Sequence, residues 1–378
     1  MKTLLFFATA LVALSWLCAG FRLKPARRYG TVDAIVPAFN EELCIVGAVR
    51  NLLANHYIDK VIVVNDGSTD KTASILDLLK TVHSRLVVVH QANTGKGGAL
   101  MAGIAKSDAP YVFLTDADTL LPAHGQGLGY MIRELELGAD AVGGIPSSTL
   151  AGAGLLPHIR ATVKLPMIVI KRTFQQIVGG APFIISGSCG LFKTEVLRAV
   201  PFSDRTKVED LDLTWSLIGA GYKVRQCNRC VVYSQECNSF KSEWLRWRRW
   251  IVGYAVCMRL HSRLLLSRYG LFTILPMFLV VLVGVSTYAT AVGSAVHAGR
   301  ASAIPAIFFP LLWLGIVSVI GAASAIHHRK WWLVPLAPAA LVYLILAYAI
   351  WVVHGLKGLL TGHEPQRDKP VRYAHVVA

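Results

Sequence analysis

Two kinds of hydrophobic pattern occupy the chain, and the changes between them divide it. Residues 3 to 21, beginning Thr3-Leu4-Leu5-Phe6-Phe7, are almost continuously apolar and follow a single basic residue, Lys2. From Thr31 onward, apolar runs of strand length alternate with stretches of helical spacing, the pattern of a mostly parallel α/β sheet. Towards the C-terminus the apolar runs lengthen again. Leu271 to Val296, Ile304 to Ile326 and Leu333 to His354 are each long enough to span a bilayer as a helix.

Within the middle region the pattern predicts four strands in succession. Val32 to Val36 ends at Pro37-Ala38-Phe39-Asn40-Glu41-Glu42, and a helix follows to Ala54. Lys60 to Val64 ends at Asn65-Asp66-Gly67-Ser68-Thr69-Asp70, turn residues that stop a strand and cap the next helix. Arg85 to His90 is the third strand, after which Asn93-Thr94-Gly95-Lys96-Gly97-Gly98 opens a helix. The fourth is the run Tyr111 to Leu120, which carries Asp116 and Asp118 at its end. In open α/β sheets ligands bind just beyond the carboxyl ends of the strands. Ends carrying Asn40, Asp66, Lys96, Asp116 and Asp118 therefore describe a nucleotide cleft, with Asp and Asn for base or ribose, Lys for phosphate and a carboxylate pair for a hard divalent cation. Taken alone, Asp116-Ala117-Asp118 reads equally as an acidic turn that solvates its charges. The segment around Gly95 has the spacing of neither a Walker loop nor a dinucleotide fingerprint.

Composition adds the membrane. The 54% hydrophobic content is too high for a purely soluble protein, and the excess sits in the terminal runs. The formal charge of +16 is clustered beside those runs, at Arg22, Lys24, Arg27 and Arg28 and at seven Lys or Arg between Lys241 and Arg268, against one acid, Glu243. That distribution fits the positive-inside rule and anionic headgroups, and with no nucleic-acid module signature it argues against a nucleic-acid partner. The N-terminal run reads as an uncleaved anchor, since Trp16, Leu17 and Cys18 occupy the place where a signal peptide needs small residues; a cleaved signal peptide is the alternative. Charges in the connecting loops, Arg300 in one and Arg329 with Lys330 in the next, put the catalytic domain in the cytoplasm, and three spans then place the C-terminus outside despite Lys357, Arg367, Lys369 and Arg372 in the tail. Seven scattered cysteines make no disulfide framework; Cys227, Cys230 and Cys237 read as incidental thiols or as three zinc ligands.

Several ordered motifs carry a resemblance. Pro37-Ala38-Phe39-Asn40-Glu41, Val64-Asn65-Asp66-Gly67-Ser68-Thr69-Asp70, Asn93-Thr94-Gly95-Lys96 and Thr115-Asp116-Ala117-Asp118 resemble the successive motifs of family 2 glycosyltransferases of the GT-A fold. Ile170-Lys171-Arg172-Thr173, Ile185-Ser186-Gly187 with Phe192-Lys193, and Glu209-Asp210-Leu211-Asp212-Leu213-Thr214-Trp215 are similar to the membrane-bound poly-N-acetylglucosamine synthases and, more distantly, to hyaluronan, chitin and cellulose synthases. The likeness runs from Thr31 to Tyr254.

The resemblance implies an α/β GT-A (Rossmann-like) catalytic domain, over residues 30–238; the hydrophobic and charge pattern adds an anchor at 1–22, an interfacial amphipathic region over 239–268, three transmembrane helices within 269–356 and a tail at 357–378. It implies Mg2+ or Mn2+ held by Asp118, with Asp116 on the nucleotide or the metal. Glu41 and Asp66 would lie against the uridine, with Pro37, Asn40 and Lys96 on the donor side, and Asp210 would be the base. On the acceptor side it implies Ser186, Gly187 and Glu209. Gly187 reads equally as a turn residue, and Glu209 and Asp212 also read as charges at a helix N-terminus.

The family's Gln-x-x-Arg-Trp motif appears as Arg246-Trp247-Arg248-Arg249-Trp250. Arg249 would meet the diphosphate and Trp250 the acceptor sugar, while Arg246 stands in place of Gln and offers a further phosphate contact. Trp244, Trp247, Ile251, Tyr254 and Met258 recur at helical spacing, as in a helix lying at the membrane surface. The expected activity is inverting, metal-dependent transfer from a UDP-sugar, UDP-N-acetylglucosamine, to a growing polysaccharide at the cell membrane. Two alternatives are a non-processive transferase acting on a lipid or polyprenyl phosphate, and a transporter or scaffold with a dead domain. The dead-domain reading predicts loss of Asp66, Asp116, Asp118 and Asp210, all of which are present.

Overall fold

The structure is a computed structural model that describes residues 24–27, 30–122, 125–279, 303–362 and 372–373, with isolated positions at 286, 289–290, 292–293 and 364. The expected anchor over residues 1–22, much of the first expected span, Arg300, and Arg367 with Lys369 in the tail lie outside the described residues. The chain forms two units, one comprising residues 1–152, 169–236 and 369–378, the other 153–168 and 237–368.

The first unit is built on an eight-stranded sheet in the order β3-β2-β1-β4-β7-β6-β8-β5. Its strands are β1 (Val32–Ala38), β2 (Ile58–Asp66), β3 (Leu86–Gln91), β4 (Tyr111–Leu114), β5 (Thr119–Leu120), β6 (Ala141–Ser148), β7 (Gly190–Lys193) and β8 (Val224–Ser234). β1 pairs in parallel with both β2 and β4, and β2 with β3. The centres of β1 and β2 are apolar without alternation, because helices cover parallel sheets on both faces; Ala34, Ile35, Val36, Val61, Ile62 and Val63 are all fully buried. Helices α1 (Ile45–Leu53), α2 (Thr72–Val82) and α3 (Gly95–Ile104) connect the first four strands, and α4 (Gly127–Glu136) precedes β6. The strand order reverses direction between β1 and β4, so the carboxyl ends of these two strands open a crevice. This is the Rossmann-like α/β architecture expected.

One predicted element divides. The run Tyr111 to Leu120 forms β4 and β5 rather than a single strand, because Thr119 N–H donates to Asp116 O at 3.1 Å and closes a turn. β5 then pairs antiparallel with β8, through Thr119 and Ser234. Asp116 and Asp118 therefore sit in the bend between two strands. The second half of the unit adds α6 (Thr194–Ala199) and α7 (Glu209–Gly219). Helix α5 (Leu155–Gly179) carries Pro166 in its interior and has its first residues in the second unit.

The second unit contains α8 (Phe240–Leu260), α9 (Ala303–His328) and α10 (Ala337–Thr361). Ser239 caps α8, its hydroxyl accepting from Ser242 N–H. Two stretches among the described residues, Pro310–His328 and Trp331–Thr361, are long and apolar enough to cross a membrane. They coincide with the second and third expected spans. On α8 the stripe expected to lie on a bilayer surface is covered by protein at two of its positions: Trp247 Nε1 donates to Tyr343 Oη of α10 at 2.9 Å, and Ile251 is fully buried. The tail, expected on the side opposite the catalytic domain, instead contributes Arg372 and Tyr373 to the first unit, where both make hydrogen bonds or ion pairs.

Candidate active site

The loops that leave β1 and β2 are laced to one another. Asn40 adopts a left-handed backbone, φ 54°, which Asn tolerates better than most residues. Its N–H donates to Ser68 Oγ at 2.9 Å, and its Oδ1 accepts from Thr69 N–H at 2.7 Å. Glu41 N–H donates to Thr72 Oγ1 at 2.8 Å, and Glu42 Oε2 accepts from Lys71 N–H at 3.1 Å. Asp70 Oδ1 accepts from Thr72 N–H at 2.9 Å at the start of α2, as the turn sequence predicted. Asn40, expected to face the donor, thus spends its side-chain oxygen on holding two strand-end loops together. Pro37 lies within β1, opposite Val64 of β2.

Asp66, 3% exposed, closes the next gap. Its Oδ1 accepts from Thr94 N–H and Gln91 Nε2, both at 2.8 Å, and so ties the end of β2 to the loop that opens α3. That loop delivers Lys96. Lys96 Nζ lies 2.5 Å from Asp116 Oδ1 and 3.8 Å from Glu209 Oε1, with only 12% of its side chain exposed.

Glu209 and Asp210 open α7, and Asp210 Oδ2 accepts from Gly187 N–H at 2.9 Å. A Cβ on Gly187 would stand 2.9 Å from Lys96 Nζ and 3.4 Å from Asp210 Oδ2. Gly187 lies in a turn closed by Cys189 N–H to Ser186 O at 2.9 Å, as its turn reading had it, and the same position brings it close to the charged ends of Lys96 and Asp210. Leu114, Ile185, Ser186, Phe192 and Phe202 complete a cleft around Lys96, Glu209 and Asp210.

Buried contacts fix α7 against the segment before Gly187. Thr214 Oγ1 accepts from Ile185 N–H at 3.0 Å, and Trp215, fully buried, donates Nε1–H to Phe183 O at 3.0 Å while its ring meets Phe183 edge-on. Asp212 is held by Arg205 at 2.9 Å and by Ser203 Oγ, so its charge serves the fold, as the helix-terminus reading had it. Ser186 Oγ accepts from Arg172 Nη2 at 2.7 Å. Arg172 is itself buried, and its Nη1 donates to Gly144 O at 3.2 Å. Arg172 belongs to a motif in the sequence but carried no expected role; its reach to Ser186 is visible only in three dimensions.

Asp118 is 6% exposed. Its Oδ2 meets Arg372 Nη1, and Arg372 Nε stands 3.4 Å from Glu41 Oε2. Among the described residues no group of three or more His, Cys, Asp or Glu is arranged as a metal site. Asp116 and Asp118 are the oxygen donors that a hard cation such as Mg2+ or Mn2+ would take, and in this structure each is ion-paired instead, Asp116 with Lys96 and Asp118 with Arg372.

The thiols take no part. Cys227 and Cys230 are buried on β8, Cys230 Sγ stands 3.9 Å from Cys189 Sγ, and burial pushes the Cys227 thiol up to about 12. Such thiols are core groups.

Arg246, Arg249 and Trp250 belong to the second unit. There Glu243, 2% exposed, gathers four donors: Arg160 Nη1 at 2.6 Å, Trp247 Nε1 at 2.8 Å and Tyr343 Oη at 2.6 Å on one oxygen, and Arg246 Nη2 on the other. Arg160 and Arg246 both lie over the Trp250 ring, at 5.6 and 5.2 Å from its centroid. Arg246, expected to add a phosphate contact, is paired with Glu243 and stacked on Trp250.

Known proteins are similar to this chain in sequence. The model of the family described as Glycosyl transferase family 2 matches residues 33–200, the segment that carries β1 to β7. The chain is 58% identical over all of its 378 residues to an uncharacterized glycosyltransferase, YaiP, of Escherichia coli K12, and covers 95% of that protein. It is 29% identical over 228 residues to the poly-beta-1,6-N-acetyl-D-glucosamine synthase of Staphylococcus epidermidis, a match that covers 59% of this chain and about half, 54%, of that one. Among solved structures, a mannosyltransferase of Pyrobaculum calidifontis in complex with GDP-Man and Mn2+ aligns over 96% of this chain and 92% of its own, at 19% identity and a TM-score of 0.49. With the matched segment lying on the sheet that builds the cleft, and a glycosyltransferase relative similar from end to end, the chain belongs to glycosyltransferase family 2.

Proposed function

We propose that this glycosyltransferase passes N-acetylglucosamine from UDP to a growing polysaccharide, inverting the anomeric carbon, with its catalytic domain on the cytoplasmic face of the cell membrane. One observation supports the reading: Lys96 pairs with both Asp116 and Glu209 beyond the ends of the sheet strands, and Asp210, the neighbour of Glu209 at the start of α7, accepts from Gly187 N–H in the same cleft. The choice of sugar and of a polymeric product rests on the likeness to the staphylococcal synthase.

The chemistry follows from these residues. A sugar nucleotide already has a good leaving group, and the task is to neutralise the departing diphosphate; a divalent cation on Asp116 and Asp118 supplies that charge when bound. Lys96 brings a second positive charge to the same place. An acceptor hydroxyl is a poor nucleophile until a carboxylate takes its proton, and Asp210 is the group placed for this, its orientation set by the N–H groups of Gly187 and Leu211. Asp66 supports the nucleotide end and fixes the loop bearing Lys96.

The test is incubation of the full chain in lipid with individual radiolabelled UDP-sugars and Mg2+ or Mn2+, followed by sizing of the product. A long polymer from UDP-N-acetylglucosamine supports the proposal. Addition of one sugar to a lipid or polyprenyl phosphate would replace it with the non-processive alternative, and no transfer from any donor would overturn both.

A further inference from the structure

The C-terminal segment enters the donor site, and nothing in the chemistry above uses it. Tyr373 N–H donates to Gln235 Oε1 at 3.2 Å, and Gln235 Nε2 donates back to Tyr373 O at 2.5 Å. Gln235 N–H in turn donates to Asp118 O at 3.2 Å, so one glutamine joins the tail backbone to the backbone of the metal carboxylate. Tyr373 O also accepts from Cys44 Sγ at 3.5 Å, and the Tyr373 hydroxyl reaches Thr149 O at 3.5 Å. None of these contacts involves the Arg372 side chain. Tyr373 is pinned by its backbone and hydroxyl, and the Arg372 guanidinium is held separately, by ion pairs.

At present it chooses Asp118 and Glu41. Were Asp118 to hold a divalent cation, Arg372 would face like charge and lose that partner, and the diphosphate of a nucleotide donor would offer oxygens that suit the planar fork of a guanidinium better than an ammonium. Because the backbone stays pinned, the side chain need only turn to exchange one anion for the other.

We propose that Arg372 is a donor-binding residue, a counter-cation for Asp118 and Glu41 before the sugar nucleotide enters and a ligand of the diphosphate afterwards. This rests on the proposed use of a nucleoside diphosphate donor with a divalent cation. The active site is then built from the tail as well as from the sheet, and Gln235 and Tyr373 position the residue that reaches the donor.

The experiment measures binding to the full-length protein in detergent or lipid: UDP at saturating Mn2+, and uridine as the ligand without phosphate. Arg372→Ala is expected to weaken UDP about tenfold, the loss of one charge-assisted contact, and to leave uridine unchanged. Arg372→Lys keeps the compensating charge, and with it the fold, but loses the fork and is expected to weaken UDP several-fold. UDP affinity unchanged in both variants, or improved in either, overturns the proposal and makes the tail a bystander or an obstruction. If the wild type itself binds no UDP with Mn2+, the donor reading fails and takes this inference with it; wild-type binding with indifferent variants defeats this inference alone.

Discussion

Asp210 accepts backbone N–H groups on both of its oxygens, from Gly187 and from Leu211, so its carboxylate is held still at the mouth of α7. Asp210→Asn keeps the size and one of these acceptors but cannot take a proton from an acceptor hydroxyl. Transfer is expected to fall by about 10²- to 10⁴-fold with UDP affinity retained, as measured by initial rates beside a binding titration; unchanged turnover would remove Asp210 as the base. Gly187→Ala acts differently. Its methyl group meets the far end of Lys96, which moves easily, so the melting temperature should stay close to wild type while UDP affinity drops as Lys96 leaves its place beside Asp116. At this scale the positions of Asp66, Lys96, Asp116, Asp118 and Asp210 were legible, because each sits at a strand end or helix start that local pattern marks; their roles stay proposals. Arg172, Gln235 and Arg372 were not legible as site residues: their partners lie 14, 117 and 254 positions away, at Ser186, Asp118 and Asp118 again, and no local pattern encodes such a meeting. Asn40 was legible as a special residue but not in its role, since a strand-end amide looks the same whether it binds a ligand or another loop.

Asp140 shows how one charge can join elements. It lies just before β6; its Oδ1 pairs with Lys193 Nζ at the end of β7 at 2.8 Å, and its Oδ2 accepts from Lys223 N–H just before β8 at 2.9 Å. Burial works against its ionisation, but the hydrogen bonds from Lys193 and Lys223 and the charges of both outweigh it and hold the carboxyl below the usual carboxylate range. A depressed folded-state pKa contributes stability that is complete above the unfolded value, about 3.9, and is lost as pH falls through the folded value. Asp140→Asn should therefore lower the melting temperature at pH 7, and its difference from wild type should shrink in melts taken below about pH 4. Elements whose pattern is uniform were legible: the first three strands and the helices after them fall within a few residues of their expected bounds. The run through Asp116 and Asp118 was read as one strand because its apolar residues continue to Leu120, and only the pairing of β5 with β8 shows that the chain bends between the carboxylates. The stripe on α8 has the period of a helix on a membrane surface, and Tyr343 covers part of it instead, because apolar periodicity reports that a face is buried and not what buries it.

At the scale of the whole molecule, Arg372 and Tyr373, which follow the apolar helices α9 and α10 in sequence, group with the unit that holds the sheet. Arg372 and Tyr373 pair with Asp118 and Gln235, so if the apolar helices cross a bilayer, the expected outcome is a tail on the same side as the catalytic domain. In sealed vesicles of one orientation, protease should reach a C-terminal tag and an epitope in the catalytic domain together; protection of one alone would contradict this. Hydropathy reports which segments are apolar and says nothing of where the tail docks. Glu243 has a different consequence. It is the single acid among the seven basic residues between Lys241 and Arg268, and it is buried under Arg160, Arg246, Trp247 and Tyr343. Glu243→Ala leaves buried guanidinium groups without a counter-charge, a loss of about 3–5 kcal/mol where a buried pair is broken from one side. A genetic screen for lost product would rank Glu243 beside Asp210, yet the two would part on an immunoblot: the Asp210→Asn protein should accumulate normally, whereas the Glu243→Ala protein should be cleared by the cell's quality control before it is ever tested as an enzyme.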